Sequence, residues 1–376
     1  YLITLYHLIF IVKIKNNMTV CILGNSLTAL TLAKALVNYE VDVDVIFNKK
    51  NYKINNTRTI GISKSNVDFF NTNIINIEKL IWNIKAIEIF TENFSKEKLI
   101  NFKADKSQLF SIIKNYELHQ LLNKELSKSK FFRLKFSTEK NLSYLNKYEL
   151  VINCDPFNSI TKKYFSKKIS KKYNSTAYTT IISHDKIIND TAIQIFTKKG
   201  PLAFLPISDK KTSVVYSVHN PSNNEVGNIK ELIKDKNFKY KIRGLEKVNS
   251  FELESFNLRS YYHENILAFG DLLHKVHPLA GQGFNMTIRD IKILSKIIKK
   301  RLDLGLMLDK SISLEFQKST KHKNFIFSNG VDLIHEFFNI ERKTRTSLLR
   351  KSAKLISNQA LINKMLTKIA DKGILF

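Results

Sequence analysis

The residues best suited to chemistry are Gly270-Asp271 and the run His277-Pro278-Leu279-Ala280-Gly281-Gln282-Gly283-Phe284-Asn285. They follow an apolar strand-like stretch, Asn265 to Phe269, and open a helical pattern, Met286 to Lys300. A carboxylate at the carboxyl end of a strand stands where ligands bind in open α/β sheets, and it can accept hydrogen bonds from sugar or ribityl hydroxyls. Pro278 stiffens the next turn. Gly281 and Gly283 lack a Cβ, so a flat ring can approach the backbone there. The first N–H groups of the following helix have no intrahelical acceptor and favour negative charge. This set of groups suits the pyrimidine edge of a reduced, anionic flavin.

A second constellation lies near the start of the chain. Gly24-Asn25-Ser26-Leu27-Thr28-Ala29 follows a strand and opens a helix, the position of a dinucleotide fingerprint. Gly24 supplies the tight turn. Ser26 stands where a second glycine is usual and brings a hydroxyl toward a pyrophosphate. Ala29 is small enough for helix–strand packing. The second strand ends in Ile46-Phe47-Asn48, so Asn48 replaces the usual acid and would bond a ribose hydroxyl more weakly than a carboxylate would.

The 270–285 run resembles the flavin-binding signature of the FAD-dependent aromatic-ring hydroxylases, most closely the branch that hydroxylates ubiquinone precursors. Matching islands extend over nearly the whole chain from Met18. Asn56 to Ser63 is similar to the family's arginine-containing segment and places Arg58 near the flavin. Asn153 to Ser159 is similar to a segment the family uses for both FAD and the nicotinamide donor; Asp155 and Ser159 match, whereas Pro156 replaces a glycine and removes a backbone donor. The alternative for this segment is a plain turn leaving a strand. Thr191 to Phe196 and Gly200 to Pro206 resemble the sheet that roofs the substrate, which implies substrate contacts from Leu202, Phe204 and Pro206. By alternation Leu202 and Phe204 share one face of that strand, and Ala203 and Leu205 the other; the sequence leaves open which faces the pocket.

The resemblance implies non-covalent FAD held by Gly24, Ser26, Ala29, Asn48, Arg58, Asp155, Gly270, Asp271, Gly281, Gln282, Gly283, Phe284 and Asn285. It also implies that His277, Pro278 and Gly281 shape the loop over the reacting ring. NAD(P)H and O2 would be co-substrates, and the oxidising species a flavin C4a-hydroperoxide that transfers oxygen to the ring of a polyprenylated phenol. The absence of a Ser-His-Asp or paired-carboxylate device suits that chemistry. Two rivals stay open: a flavin hydroxylase of a soluble aromatic, and a non-catalytic member of a ubiquinone-biosynthesis complex with weakened FAD binding. Ser26, Asn48 and Pro156 keep the second alive.

Composition adds bounds. The chain has 376 residues, 43% hydrophobic and 25% charged, enough for a large core. Its net charge of +28 raises nucleic acid as a partner, but the lysines are scattered beside Asn and Ser with no Arg–aromatic pattern. Attraction to an anionic membrane surface fits a lipid-tailed substrate better. Cys21 and Cys154 lie in or at the end of apolar runs without metal-ligand neighbours, as in a reducing cytoplasm. His274 and His277 lack the third ligand that a metal site needs. Tyr1 to Val12 is apolar but short of the about 20 residues that span a bilayer. Residues 1–17 are read as a non-native leader, with a membrane-touching anchor as the alternative. Apolar residues at near-helical spacing in the basic tail, Glu341 to Phe376, give either core packing or a membrane-surface face.

The elements that must position these groups open with βαβ: a strand at Thr19–Leu23, a helix at Leu27–Val37 and a strand at Val41–Phe47. Asn115–Leu126 is amphipathic, Leu150–Cys154 a buried strand, and 172–218 mostly strand. The lysine patches at 161–163 and 167–172 read as solvated loops. The fold expected is α/β: a Rossmann-like FAD-binding domain of the para-hydroxybenzoate-hydroxylase type (18–72, 98–168 and 258–300), an inserted strand-rich substrate domain (73–97 and 169–257) and C-terminal helices (301–376). The location expected is cytoplasmic, peripheral to the inner membrane, with other ubiquinone-biosynthesis proteins as possible partners.

Overall fold

The computed structural model describes residues 19–48, 56–91, 98, 100–103, 108–137, 143–221, 225–276 and 282–344. In chain order the strands are β1 (Thr19–Leu23), β2 (Asp42–Phe47), β3 (Thr59–Ser63), β4 (Ile81–Ile84), β5 (Ala86–Thr91), β6 (Ile100–Lys103), β7 (Phe110–Lys114), β8 (Phe132–Phe136) and β9 (Leu150–Asn153). They continue with β10 (Lys168–His184), β11 (Thr191–Thr197), β12 (Gly200–Pro206), β13 (Lys211–His219), β14 (Ile242–Leu245), β15 (Asn249–Leu258), β16 (Tyr262–His263), β17 (Ile266–Ala268) and β18 (His274–Lys275). The helices are α1 (Leu27–Val37), α2 (Lys64–Phe69), α3 (Asn115–Leu126), α4 (Ser159–Tyr164), α5 (Glu225–Lys236), α6 (Gln282–Asp303) and α7 (Lys310–Thr344).

Three sheets organise the chain. The first has the order β16-β17-β9-β1-β2-β8, and all its pairs are parallel except the β16–β17 hairpin. Its central strands are apolar runs because both faces are covered. β1 and β9 are almost wholly buried, and α1 is buried along nearly all its length, packed against α3 and α6. The second sheet runs β18-β15-β10-β13-β12-β11-β5-β6, with β14 paired to β10. The third is a small antiparallel sheet, β3-β7-β4.

The large sheet has two different faces. Tyr178, Ile182, Leu202, Phe204, Val214, Tyr216 and Val218 pack with Ile229, Ile233 and Tyr240, so α5 and the segment after it cap that side. On the other side Ala192, Leu205 and Ile207 meet Trp82, Ile84, Phe110 and Ile112 of the small sheet. Polar ties close this second interface: Thr59 Oγ1 donates to Ser213 Oγ at 2.8 Å, and Asn249 Nδ2 to Thr57 Oγ1 at 2.8 Å.

Two expectations fail locally. The lysine patch at 167–172 is not a loop: residues 168–172 form the exposed opening of β10, paired with β15. Thr161-Lys162-Lys163 lies in α4, whose N-terminus Asn158 caps by accepting from Thr161 N at 2.8 Å. No helix among the described residues is long and apolar enough to cross a membrane. The leader at 1–17 and the tail beyond residue 344 lie outside the described residues.

Candidate FAD-binding site

Three parallel strand ends converge on one place. Gly24 leaves β1 with φ +106°, a left-handed conformation that favours glycine. A Cβ there would lie 3.3 Å from both Cβ and backbone N of Asp155, so the β1 turn sits tightly on the end of β9. Cys154 N donates to Leu23 O at 2.9 Å, and Gly24 N to Ile46 O at 2.8 Å. Gly270, with φ +65°, closes the set: its Cβ would meet Thr28 Cγ2 at 2.5 Å. The β17 turn is thus seated on the first turn of α1, with Asp271 beside it and exposed to solvent. The Cys154 thiol reports the same convergence: burial pushes its pKa far up, and the nearby Asp271 and Asp155 carboxylates add to the rise.

Ser26 is the N-cap of α1, its Oγ accepting from Ala29 N at 3.3 Å. Accepting leaves the hydroxyl proton available to an anion at the helix end. Ala29 is fully buried, so its role is packing. His119, which sequence reading did not single out, holds this turn from α3. Its Nε2 donates to Asn25 O at 3.0 Å and its Nδ1 accepts from Asn123 Nδ2 at 2.9 Å. Burial keeps its pKa below the ordinary imidazole value, so the ring is held neutral. The signal was present in sequence: His119 shares the buried face of α3 with Leu118, Leu122 and Leu126. Arg58 is exposed at the same end of α3, its carbonyl accepting from Asn115 N at 3.0 Å. Asn48 is half-buried just past β2.

Asp155 stands at the convergence but closes its own turn, Oδ1 accepting from Phe157 N at 2.8 Å. Asn153, Asn158 and Thr161 complete a local polar knot around it. On the other flank, Asn285 Oδ1 accepts from Ser63 N (3.0 Å) and Asn66 Nδ2 (2.8 Å), while its Nδ2 donates to Gly61 O (2.8 Å). Its buried amide therefore clamps β3 to α6. Phe284 packs partly buried, 6.3 Å from the Phe70 ring. The Asn285 and Phe284 side chains thus serve the scaffold, leaving their backbone for any ligand. Gly283 differs: among the described residues a Cβ there would meet Val276 Cγ2 at 3.9 Å, an ordinary contact. Gln282 is the first residue of α6. His277, Pro278, Leu279, Ala280 and Gly281 lie outside the described residues.

The substrate residues expected on β12 need correction. Leu202 and Phe204 are 0% and 1% exposed, and they point with buried Pro206 toward the face covered by α5. They have no free surface for a ligand. Half-buried Ala203 and Leu205 occupy the opposite face, toward the small sheet.

These residues fit FAD. The first turn of α1 offers N–H groups to a pyrophosphate, Asp271 offers an exposed acceptor, and Asn25 Oδ1 is buried with no partner among the described residues. Residues 149–303 match the family model described as FAD binding domain. The chain is 24% identical over 274 residues to the ubiquinone biosynthesis monooxygenase COQ6 of Schizosaccharomyces pombe, covering 60% of this chain and 57% of that one. It is 27% identical over 157 residues to 3-demethoxyubiquinol 3-hydroxylase of Escherichia coli, covering 40% of each. The chain spans about half the length of the curated relatives it matches. In fold it superposes on p-nitrophenol 4-monooxygenase PnpA of Pseudomonas putida with TM-score 0.77 at 11% identity, covering 94% of this chain and 98% of that one. Klebsiella pneumoniae HpxO, solved with FAD and uric acid, gives TM-score 0.73 at 13% identity, covering 94% and 97%. Sequence kinship and fold agree: residues 149–303 match an FAD binding domain, and the chain is similar to FAD-dependent monooxygenases of ubiquinone biosynthesis.

Proposed function

We propose that the protein is an FAD-dependent monooxygenase that hydroxylates the aromatic ring of a polyprenylated ubiquinone precursor, with NAD(P)H as electron donor and O2 as oxidant. The observation that carries this is the convergence of Gly24, Asp155 and Gly270-Asp271 at the carboxyl ends of β1, β9 and β17, against the N-terminus of α1. There the α1 amides and the Ser26 hydroxyl bind the pyrophosphate, and Asp271 accepts from ribityl hydroxyls. Bound FAD, reduced by NAD(P)H, supplies the activation of oxygen. The protein orients a phenolic ring and excludes water. Ala203 and Leu205 are the β12 side chains available for that wall, together with Trp82 and Phe110 of the small sheet. A lipid-tailed substrate and the net charge of +28 support docking on an anionic membrane surface, through which other proteins of the pathway could hand over substrate.

The test is turnover: flavin-loaded protein, NAD(P)H, O2 and a short-chain prenylated phenol, with mass spectrometry of the lipid. A product heavier by one oxygen supports the reading. NAD(P)H oxidation yielding only peroxide with every prenylated phenol overturns the substrate half. A weakly FAD-binding, non-catalytic member of a biosynthetic complex is the second reading, favoured by Asn48, Pro156 and the local engagement of Asp155. A flavin absorbance band in the purified protein separates the two.

A further inference from the structure

A buried polar network lies directly behind the site and is used by nothing described so far. His274 leaves the Gly270–Leu272 turn and pairs with Asn257 of β15. Its Nε2 donates to Asp290 Oδ2 at 2.6 Å, with the two side chains 1% and 0% exposed. Asp290 lies two turns into α6, about 12 Å from the helix start at 1.5 Å per residue. The same Oδ2 accepts from Asn324 Nδ2 of α7 at 3.2 Å, and Asn324 Oδ1 accepts from Arg289 at 2.5 Å. Around these bonds Val276 and Met286 form a separate buried cluster with Phe327 and Val331 of α7, and the Arg289 guanidinium stacks 5.3 Å from the Phe327 ring. One carboxylate oxygen thus joins three elements: the strand leaving the Asp271 turn, the helix whose first turn carries Gly283, and α7.

We propose that α7 is a clamp on the cofactor site, and that Asp290 and Asn324 are positioning residues for FAD. The spacing between the Asp271 turn and the start of α6 is set at the Asp290 oxygen. That oxygen keeps its orientation because α7 donates to it. Buried polar groups tolerate few alternatives, since an unmade bond costs more than a made one gains. FAD contacting both flanks therefore prefers the clamped arrangement. By linkage, bound FAD must hold α7 in place to the same degree that α7 holds FAD.

The inference rests on FAD occupying this site, and the experiment separates the two ideas. Hydrogen exchange is measured on the full chain without and with saturating FAD, and FAD affinity by flavin-fluorescence titration of wild type, Asn324→Ala, Asp290→Asn and the surface control Lys318→Ala. FAD is expected to slow exchange across residues 316–331 of α7. Asn324→Ala, which removes a hydrogen bond to a charged group, is expected to weaken FAD by about tenfold or more. Asp290→Asn buries an amide NH2 where Oδ1 has no partner among the described residues and is expected to weaken FAD in the same direction as Asn324→Ala, whereas exposed Lys318→Ala is expected to stay within about threefold of wild type. The clamp is overturned if FAD leaves α7 exchange unchanged. It is equally overturned if Asn324→Ala lowers the apoprotein melting temperature yet binds FAD within about twofold of wild type, the behaviour of a packing residue. A wild type that takes up no FAD defeats the cofactor reading itself, and the clamp with it.

Discussion

Gly270→Ala tests the geometry that brings Asp271 to the helix end. The new Cβ would sit 2.5 Å from Thr28 Cγ2 and 3.1 Å from Thr28 Cβ, and the backbone holds φ +65°. The left-handed conformation costs an L residue about 1–2 kcal/mol, and overpacking a tight contact adds about 1–3 kcal/mol. Urea unfolding should therefore show a loss of about 2–5 kcal/mol. Thr28→Ala removes the clashing Cγ2 but leaves Cβ, so it relieves the steric part and none of the backbone part. Alone it should cost about 1 kcal/mol for the buried methyl. Combined with Gly270→Ala it should recover about 1–2 kcal/mol of the additive sum, read as the interaction in a double-mutant cycle. FAD content should follow the same order, low in Gly270→Ala and partly restored in the double variant. A Gly270→Ala protein within about 0.5 kcal/mol of wild type, or a cycle that is additive, would refute the argument that this glycine exists to seat the β17 turn on α1.

Asp271→Ala should remove hydrogen bonds made by an ionised acceptor, about 1.5–3 kcal/mol, and purify largely as apoprotein; unchanged flavin content on absorbance would show that Asp271 does not hold the cofactor. His119 makes stability pH-dependent: its folded pKa is depressed, so the unfolded chain binds the proton first as pH falls. Its stabilising contribution is complete above the unfolded value of about 6.5 and is lost as pH drops through the lower folded value. Urea midpoints between pH 8 and pH 5 should therefore decline less steeply in His119→Gln, and parallel curves would remove His119 from the account. On β12, Ala203→Trp should leave flavin bound but lower hydroxylated product relative to peroxide, whereas Leu202→Trp should destabilise the fold by about 1–3 kcal/mol because its face is filled beneath α5. Full coupling in Ala203→Trp would mean that this face is not the pocket wall.

Much of the nucleotide-binding half was legible. β1, α1 and α3 begin and end where their apolar periodicity does, because an element buried on a sheet must carry that period. The Gly24 turn was readable because a tight turn leaving a strand favours glycine, whereas the need for glycine at Gly270 shows only in the structure, in its φ of +65° together with its close approach to Thr28. What was not legible depends on partners distant in sequence. The opening of β10 is exposed and lysine-rich, so nothing local distinguishes it from a loop; its pairing with β15 makes it a strand. The small sheet joins β3 to β7 and β4 across intervening segments and has no local signature. Alternation on β12 gave the two faces but not their sense, since α5 was needed to say which is filled. Asn285 carried the right residue type for a ligand contact, but its amide is spent on Gly61, Ser63 and Asn66.

The order β16-β17-β9-β1-β2-β8 has a consequence for synthesis of the protein. β9 is buried at every position, yet its neighbour β17 lies about 110 residues downstream. At ribosomal speeds of roughly 5–20 residues per second, an apolar strand edge stays open for roughly 5–20 s. During that interval the growing chain offers a template for mispairing with other nascent strands. Asp271 follows β17 by only three residues, so the carboxylate and the strand that closes the edge emerge together. The Asp271 arm of the site is therefore made late in synthesis, only as the first sheet is completed.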